Sequence, residues 1–347
     1  MSEPALTRAA AAASHPVHIL NEIPEEQRAE FGVRPFMLRH RLGESPLFSL
    51  EALERVAVAV QTAQIEGRAR DAQLKIRFDK EDAGDMSSWK AKRFVTLSDD
   101  AGWRGEIARL FGELATGRAR WSMMISFVDE IDADFRELVD ELILEAAGAC
   151  GFRRSDVTLR GATVILSSPC VITPYHADYE HNFLFQILGG KDDHLYDQND
   201  PAIMPQEVIE RFGFGDRSAA SYGPHADGRG KLFHLEPGVV VYQPPLAPHW
   251  LENGDNASIS VAIYFSTRRL DDFIHAHQVN WFLRRAGLHP PAPDLSRGVD
   301  RAKAVFMRAL SGRRDRYDAL FRGVERLKAP GLAVRGLASS MRARLAA

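Results

Sequence analysis

Cysteine is nearly missing from this chain: Cys150 and Cys170 are the two it has, and neither pairs with His or Cys at zinc-finger spacing. A disulfide framework is thereby excluded, and a reducing, cytoplasmic setting is expected. No apolar run approaches the roughly 18 residues that a spanning helix needs, so no membrane association is expected. The N-terminus has an alanine cluster, Ala9 to Ala13, without a basic stretch followed by an apolar one. No signal peptide is read there, and residues 1–15 are expected to form a disordered tail. Internal repeats and low-complexity linkers are lacking too. So is any strong overall charge, the formal net being −3. The distribution is uneven, because residues 268–347 hold 17 Lys/Arg against 7 Asp/Glu. That excess fits solvated helix faces, a basic surface docking on the acidic body of a second subunit, or one meeting an anionic partner. Neither a helix-turn-helix nor a zinc pattern occurs in that segment, so nucleic acid is not an expected partner.

What is present is an ordinary globular composition, 45% hydrophobic and 26% charged, over 347 residues. That length accommodates one large core with accessory segments. Phe48 to Gln61 has the apolar spacing of an amphipathic helix, with Ser49 placed to cap it. Lys92 to Leu97 reads as a short strand, Gly105 to Leu114 as a helix, Trp121 to Val128 as a strand, and Asp132 to Ala147 as a helix. From residue 157 the texture changes to short β-type runs between Gly, Pro, Asn and Asp: Val157 to Leu166, Tyr175 to Leu188, Val239 to Tyr242 and Ser258 to Phe265. Such spacing predicts a sandwich or barrel. A polar, Gly-rich insertion, Asp197 to Lys231, interrupts it with one short helix near Pro205 to Phe212. Beyond Arg268 helices return, at Leu270 to Ala286, Arg301 to Leu310 and Asp315 to Leu327. The expected units are the tail (1–15), a mixed, mostly helical lead (16–150), a β core (151–267) and a basic helical C-terminal segment (268–347).

A His-x-Asp pair alone carries no weight, and this sequence has two, His176-Ala177-Asp178 and His225-Ala226-Asp227. The second sits among Gly and Pro with no strand before it, and reads as a surface loop. The first opens a stretch read as a strand, where period-2 geometry puts His176, Asp178, Glu180, Asn182, Leu184 and Gln186 on one face. That row either points inward, where a metal and its ligands would satisfy the polar groups, or points to solvent while Phe183, Phe185 and Ile187 form the core. In the later run EPGVVVYQPPLAPHW, Pro244, Pro245 and Pro248 stiffen the loop that delivers His249. One Asp and two His would make a facial triad of the kind that holds Fe(II) and leaves positions open. Lys191 follows the Gly189-Gly190 turn, in a charged hairpin where it reads as an exposed lysine.

In TPYHAD, NFLFQILGGK and PGVVVYQPPLAPHW, over Val157 to Thr267, the chain resembles the JmjC-type cupin oxygenases. The likeness is closest to the branch containing the asparaginyl hydroxylase that restrains hypoxia-inducible factor. The resemblance implies a mainly β core, a double-stranded β-helix (jelly-roll/cupin), with a helical N-terminal lead and a helical C-terminal segment. It implies Fe(II) as metal, held by His176, Asp178 and His249, and 2-oxoglutarate as co-substrate. Lys191 falls where the family pairs a lysine with the far carboxylate of 2-oxoglutarate. Thr173 matches a hydroxyl on that carboxylate, and Asn182 an amide near the cofactor. Tyr264 or Ser260 stands where some relatives use an asparagine. The 197–231 insertion has no counterpart, and such insertions line the pocket mouth in the family. The expected activity is hydroxylation or demethylation of a small-molecule or peptide substrate, with release of succinate and CO2. The alternative is a non-catalytic cupin acting as a ligand-sensing module. Other metallo-cupin chemistries usually show three histidines and a glutamate. Phe273, Ile274, Trp281 and Phe282 leave the C-terminal helices apolar enough to pack on each other, and a homodimer through them is expected from relatives.

Overall fold

Three helices of the lead, Leu50–Ile65, Trp103–Glu113 and Ala133–Cys150, follow their sequence signals, and two short ones, Glu25–Glu30 and Val128–Ile131, were not expected. Helix α1 spans Glu25–Glu30, and α2 spans Leu50–Ile65 with the Ser49 hydroxyl accepting from the Ala52 N–H at its start. Helix α3 is Trp103–Glu113, α4 is Val128–Ile131, and α5 is Ala133–Cys150, begun by the Asp132 carboxylate and ended by Gly151 at φ 75°. The carboxylate satisfies N–H groups at the first turn, and glycine takes the left-handed conformation at no steric cost. Along α5, Phe135, Leu138, Val139, Leu142 and Ile143 are buried. At about 2 kcal/mol each, they contribute on the order of 10 kcal/mol before chain entropy is set against it. The protein is described from a computed structural model, which covers residues 23–78, 94–95, 97, 102–114, 120–216 and 219–311. The expected tail and the expected helix Asp315 to Leu327 lie outside these residues.

Twelve strands follow in chain order among the described residues: β1 Phe36–Arg39, β2 Gln73–Phe78, β3 Phe94–Val95, β4 Trp121–Ser126, β5 Val157–Ser167, β6 Ile172–His176, β7 His181–Leu188, β8 Lys191–Leu195, β9 Lys231–Leu235, β10 Val239–Gln243, β11 His249–Asn253 and β12 Ser258–Thr267. They form an eight-stranded antiparallel sheet, β1-β10-β7-β12-β5-β4-β2-β3, and a four-stranded one, β6-β11-β8-β9. The segment 16–150 thus supplies four strands to the larger sheet besides its helices. Side-chain alternation sorts the faces. On β10, Val240 and Tyr242 join the large core under α2, α3 and α5, while Val239 and Val241 face Leu195, Phe233, Leu235 and Leu251 of the smaller sheet. Two antiparallel sheets face to face, with helices outside, are the mainly β, double-stranded β-helix (cupin) architecture. No described helix is long and apolar enough to cross a membrane.

Tyr175 to Leu188 is not one strand. The chain leaves the smaller sheet at His176 and enters the larger at His181, because the core can close only if it crosses from one sheet to the other. In the crossing, the Asp178 carbonyl accepts from the Leu246 N–H instead of from a neighbouring strand. The predicted phase survives the break: Phe183, Phe185 and Ile187 do join the large core, while His176, Asp178, Glu180, Asn182 and Leu184 line a cavity between the sheets. Helices α6 (Gln206–Phe212), α7 (Arg268–Arg285) and α8 (Gly298–Ser311) complete the described chain. Phe273 and Ile274 of α7 pack beside the insertion, and the Trp281 ring centroid lies 4.7 Å from that of Phe214. These side chains are used within the chain.

Candidate metal centre

His176 is the last residue of β6 and His249 the first of β11, and the two stand opposite each other in the strand register. Asp178 lies in the crossing that follows β6. The loop before His249 carries Pro244, Pro245 and Pro248, each with φ fixed by its ring. Between them Leu246 adopts φ 64° and donates its N–H to the Asp178 carbonyl at 2.7 Å. A left-handed leucine costs about 1–2 kcal/mol, so its surroundings must hold it there.

The Asp178 Oδ2 lies 3.7 Å from Nε2 of His176 and 3.9 Å from Nε2 of His249. One ligand atom from each of the three residues falls within 4.8 Å of the others. Each imidazole is oriented by a backbone carbonyl two residues before it: Nδ1 of His176 donates to Pro174 O at 2.7 Å, and Nδ1 of His249 to Ala247 O at 3.1 Å. With that nitrogen carrying the proton, the Nε2 lone pairs turn toward Asp178, as metal ligation requires. Burial, then the neighbouring His176, hold His249 below the ordinary imidazole range, which favours the neutral, ligating form. Two imidazole nitrogens and one carboxylate facing one point are a donor set that fits a divalent cation.

The cluster lies in a cavity of about 410 Å³ whose lining includes Thr173, Asn182, Lys191, Gln243 and Tyr264. Lys191 opens β8 directly after the turn in which Gly189 has φ 68°. It is 6% exposed, so it is no hairpin surface lysine. Its ammonium makes no hydrogen bond or ion pair among the described residues. Burial lowers its pKa to about 8, with Asp193 pulling the other way. Beside it runs a buried chain: the Asn182 amide donates to Gln243 Oε1 at 2.6 Å, and Gln243 Nε2 donates to Asp193 Oδ2 at 2.7 Å. Asn182 Oδ1 and Asp193 Oδ1 remain buried without a partner among the described residues. A buried ammonium and an unsatisfied amide oxygen in one cavity with three metal-type donors fit an anionic, metal-chelating small molecule. Burial pushes the Asp193 carboxyl up to about 6, against the opposing pull of His249, Gln243 and Lys191. Sequence reasoning missed both Gln243 and Asp193. The usable signals were Asp193 two residues after Lys191, hence on the same strand face, and a polar residue ending the apolar run of β10.

Away from the metal donors the wall is polar, with Lys75 and Arg77 of β2 and Ser122 and Ser126 of β4. The start of β2 is fixed by Glu130, whose carboxylate accepts the N–H groups of Arg70, Asp71 and Ala72 at 2.6–2.8 Å. Phe127, left-handed at φ 51°, sets its ring edge-on to Tyr264 with centroids 5.6 Å apart. Gly161 makes room for both, since a Cβ there would come within 2.9 Å of the Phe127 ring and of the Tyr264 hydroxyl. Tyr264, not Ser260, reaches the cavity; Ser260 donates to Gln186 outside it. The insertion departs from expectation: no described residue of 197–231 is among the cavity-lining residues. It is occupied in a small core of its own, with Tyr175, Ala177 and Leu246. In the duplicate motif His225 and Asp227 are exposed, and Asp227 accepts from the Tyr222 hydroxyl at 2.8 Å.

Fold and site together describe a cupin with a His-Asp-His cluster and an unpaired lysine in one cavity. No protein-family model matches the chain, and no curated protein matches it. Solved structures that resemble it include E. coli ycfD, at 13% identity over 87% of this chain and 72% of that one, with a TM-score of 0.46. The Escherichia coli ribosomal oxygenase YcfD in complex with cobalt and 2-oxoglutarate aligns at 13% identity over 84% of this chain and 67% of that one, TM-score 0.43. The DMSP lyase DddQ from Ruegeria pomeroyi DSS-3 aligns at 14% identity over 32% and 39%, TM-score 0.21. At such identities and scores the likeness is one of outline, and what this chain does has to be read from its own side chains.

Proposed function

We propose that this chain is an Fe(II)- and 2-oxoglutarate-dependent oxygenase of the JmjC-like cupin kind, hydroxylating a protein side chain or a small metabolite. The observation that carries the proposal is the coincidence, in one cavity, of three converging metal donors and a buried ammonium without a hydrogen bond or ion pair among the described residues. His176, Asp178 and His249 would hold the metal, leaving coordination positions open. Bound there, iron and 2-oxoglutarate supply the oxidation: with dioxygen, the oxo acid leaves as succinate and CO2 while a substrate C–H becomes C–OH. The Lys191 ammonium would neutralise a free carboxylate of the co-substrate and the Thr173 hydroxyl would donate to it, while Asn182, held by its bond to Gln243, would help orient it. Phe127 and Tyr264 close one wall of the cavity and limit how a substrate carbon approaches. A non-catalytic sensing module would have no use for three metal donors and an unpaired ammonium together.

Mixing the protein anaerobically with Fe(II) and 2-oxoglutarate should produce a weak visible charge-transfer band, and admitting air should release succinate slowly even without substrate. His176→Ala should abolish the band and His225→Ala should leave it intact. Absence of both signals in the wild type, with zinc held in a closed site, would sink the proposal.

A further inference from the structure

The insertion is built like a support. Ile203, Met204, Ile209 and Phe212 form one side of a buried cluster, joined by Ala220 and by Ala226 of the duplicate motif. On the other side of the same cluster lie Tyr175 and Ala177, which flank His176, and Leu246, which sits three residues before His249. Trp250, the residue after His249, donates its indole N–H to the Tyr196 hydroxyl at 3.2 Å. Gly230 leaves the Tyr196 ring its place, as a Cβ there would approach it to 2.8 Å. At the back, the insertion is tied to α7. The Arg284 guanidinium donates to both oxygens of the buried Glu210 carboxylate at 2.9 and 3.0 Å, and Gln278 donates its amide to Gly213 O.

Leu246 is where the support meets the metal donors. Its side chain is 4% exposed in this cluster, its N–H is bonded to the carbonyl of Asp178, and its backbone is left-handed. A leucine keeps that conformation only where packing and hydrogen bonding over-determine it. We propose that the core made by residues 203–212 and 219–226 with Leu246 is a positioning brace, which holds the Asp178 and His249 loops at ligating distance from His176. The inference rests on the metal-site reading and goes beyond it: metal affinity is then set in part by a hydrophobic core that touches no ligand atom. It also gives the insertion and the duplicate motif a role that does not involve the cavity.

The test is a Co(II) titration followed by visible absorbance and calorimetry, at a temperature well below unfolding, on the full chain without co-substrate. Wild type should bind one Co(II). Leu246→Gly and Ile209→Ala should bind about 10-fold more weakly or worse, the range seen when groups supporting metal ligands are removed. Leu246→Met, which keeps the volume, should bind within about threefold of wild type. The control is Leu53→Ala, a cavity in the large core under α2: it should lower Tm comparably and leave the affinity within about twofold. Ile209→Val supplies a milder step should Leu246→Gly fail to fold, and hydrogen exchange of the Leu246 amide in metal-free protein should quicken in it. Unchanged affinity in the Leu246 and Ile209 variants, or an equal loss in Leu53→Ala, overturns the brace while leaving the metal site standing. Failure of wild type to bind Co(II) overturns both.

Discussion

At the scale of single residues, Lys191 carries the sharpest consequences. A buried ammonium with a pKa near 8 is charged at neutral pH and loses its proton as the pH rises through that value. The affinity for 2-oxoglutarate should therefore fall above about pH 8, and binding isotherms from pH 7 to 9 should show it; a flat profile would remove Lys191 from the proposed role. Lys191→Met should weaken 2-oxoglutarate binding by about 30-fold or more, equivalent to about 2 kcal/mol, with Co(II) binding retained. How far these residues were legible depended on the physics behind each. His249 could be found because three prolines announce a stiff loop, and Lys191 because a Gly-Gly turn precedes it. Gln243 and Asp193 left only a strand phase and a polar run-end as signals, because their importance comes from each other and from Asn182, on three strands brought together only by folding.

Among the elements, the turn between β7 and β8 shows how tightly Lys191 is delivered. Gly189 and Gly67 have nearly the same backbone, φ 68° and 66°, but a Cβ on Gly189 would lie 2.1 Å from the Ala257 carbonyl, whereas one on Gly67 meets nothing within 4 Å. Gly67→Ala should cost about 1 kcal/mol, the price of left-handed alanine alone. Gly189→Ala should cost about 3 kcal/mol, because backbone must move against backbone. Urea midpoints of the two variants measure the difference, and equal losses would contradict the geometry. Strands β3, β4, β5, β10 and β12 were legible from alternation and turn residues, whereas β1, β2, β8, β9 and β11 were not read as strands. The break after His176 was not legible, since Tyr175 to Leu188 keeps one period throughout. The crossing between sheets is dictated by closure of the two-sheet core, which leaves no mark on local spacing.

For the whole molecule, buried neutral histidines set the response to acid. His40 donates from Nε2 to the carbonyls of Gln186 and Val239 and accepts from the Leu42 N–H at Nδ1, all at 3.1 Å. It pins the end of β1 to the β7 and β10 strands. Burial lowers its pKa to about 4, the two carbonyls resisting. Between about pH 6.5 and 4 the unfolded chain binds the proton and the folded one does not, so stability falls as the pH drops through that window. From pH 7 to 5 the loss due to His40 is about 2 kcal/mol. Buried His181 and His277, each lowered to about 3, act in the same direction. Urea unfolding at both pH values should show His40→Gln losing about 2 kcal/mol less than wild type over the interval; an unchanged interval would show that His40 titrates in the folded protein. Little of this balance was visible in a formal charge of −3, which counts histidines as neutral and knows nothing of where they lie.

His176 and His249 face each other across β6 and β11, yet the chain between them must first run through β7, β8, the insertion, β9 and β10. Contacts so distant along the chain close late, after nearer pairings have formed. Cobalt should thus act as a clock for the final stage of folding. In refolding from urea with Co(II) present, its visible absorbance should rise after the far-ultraviolet signal of the sheets has recovered. Simultaneous recovery would mean that the two histidines meet early, before the fold around them exists.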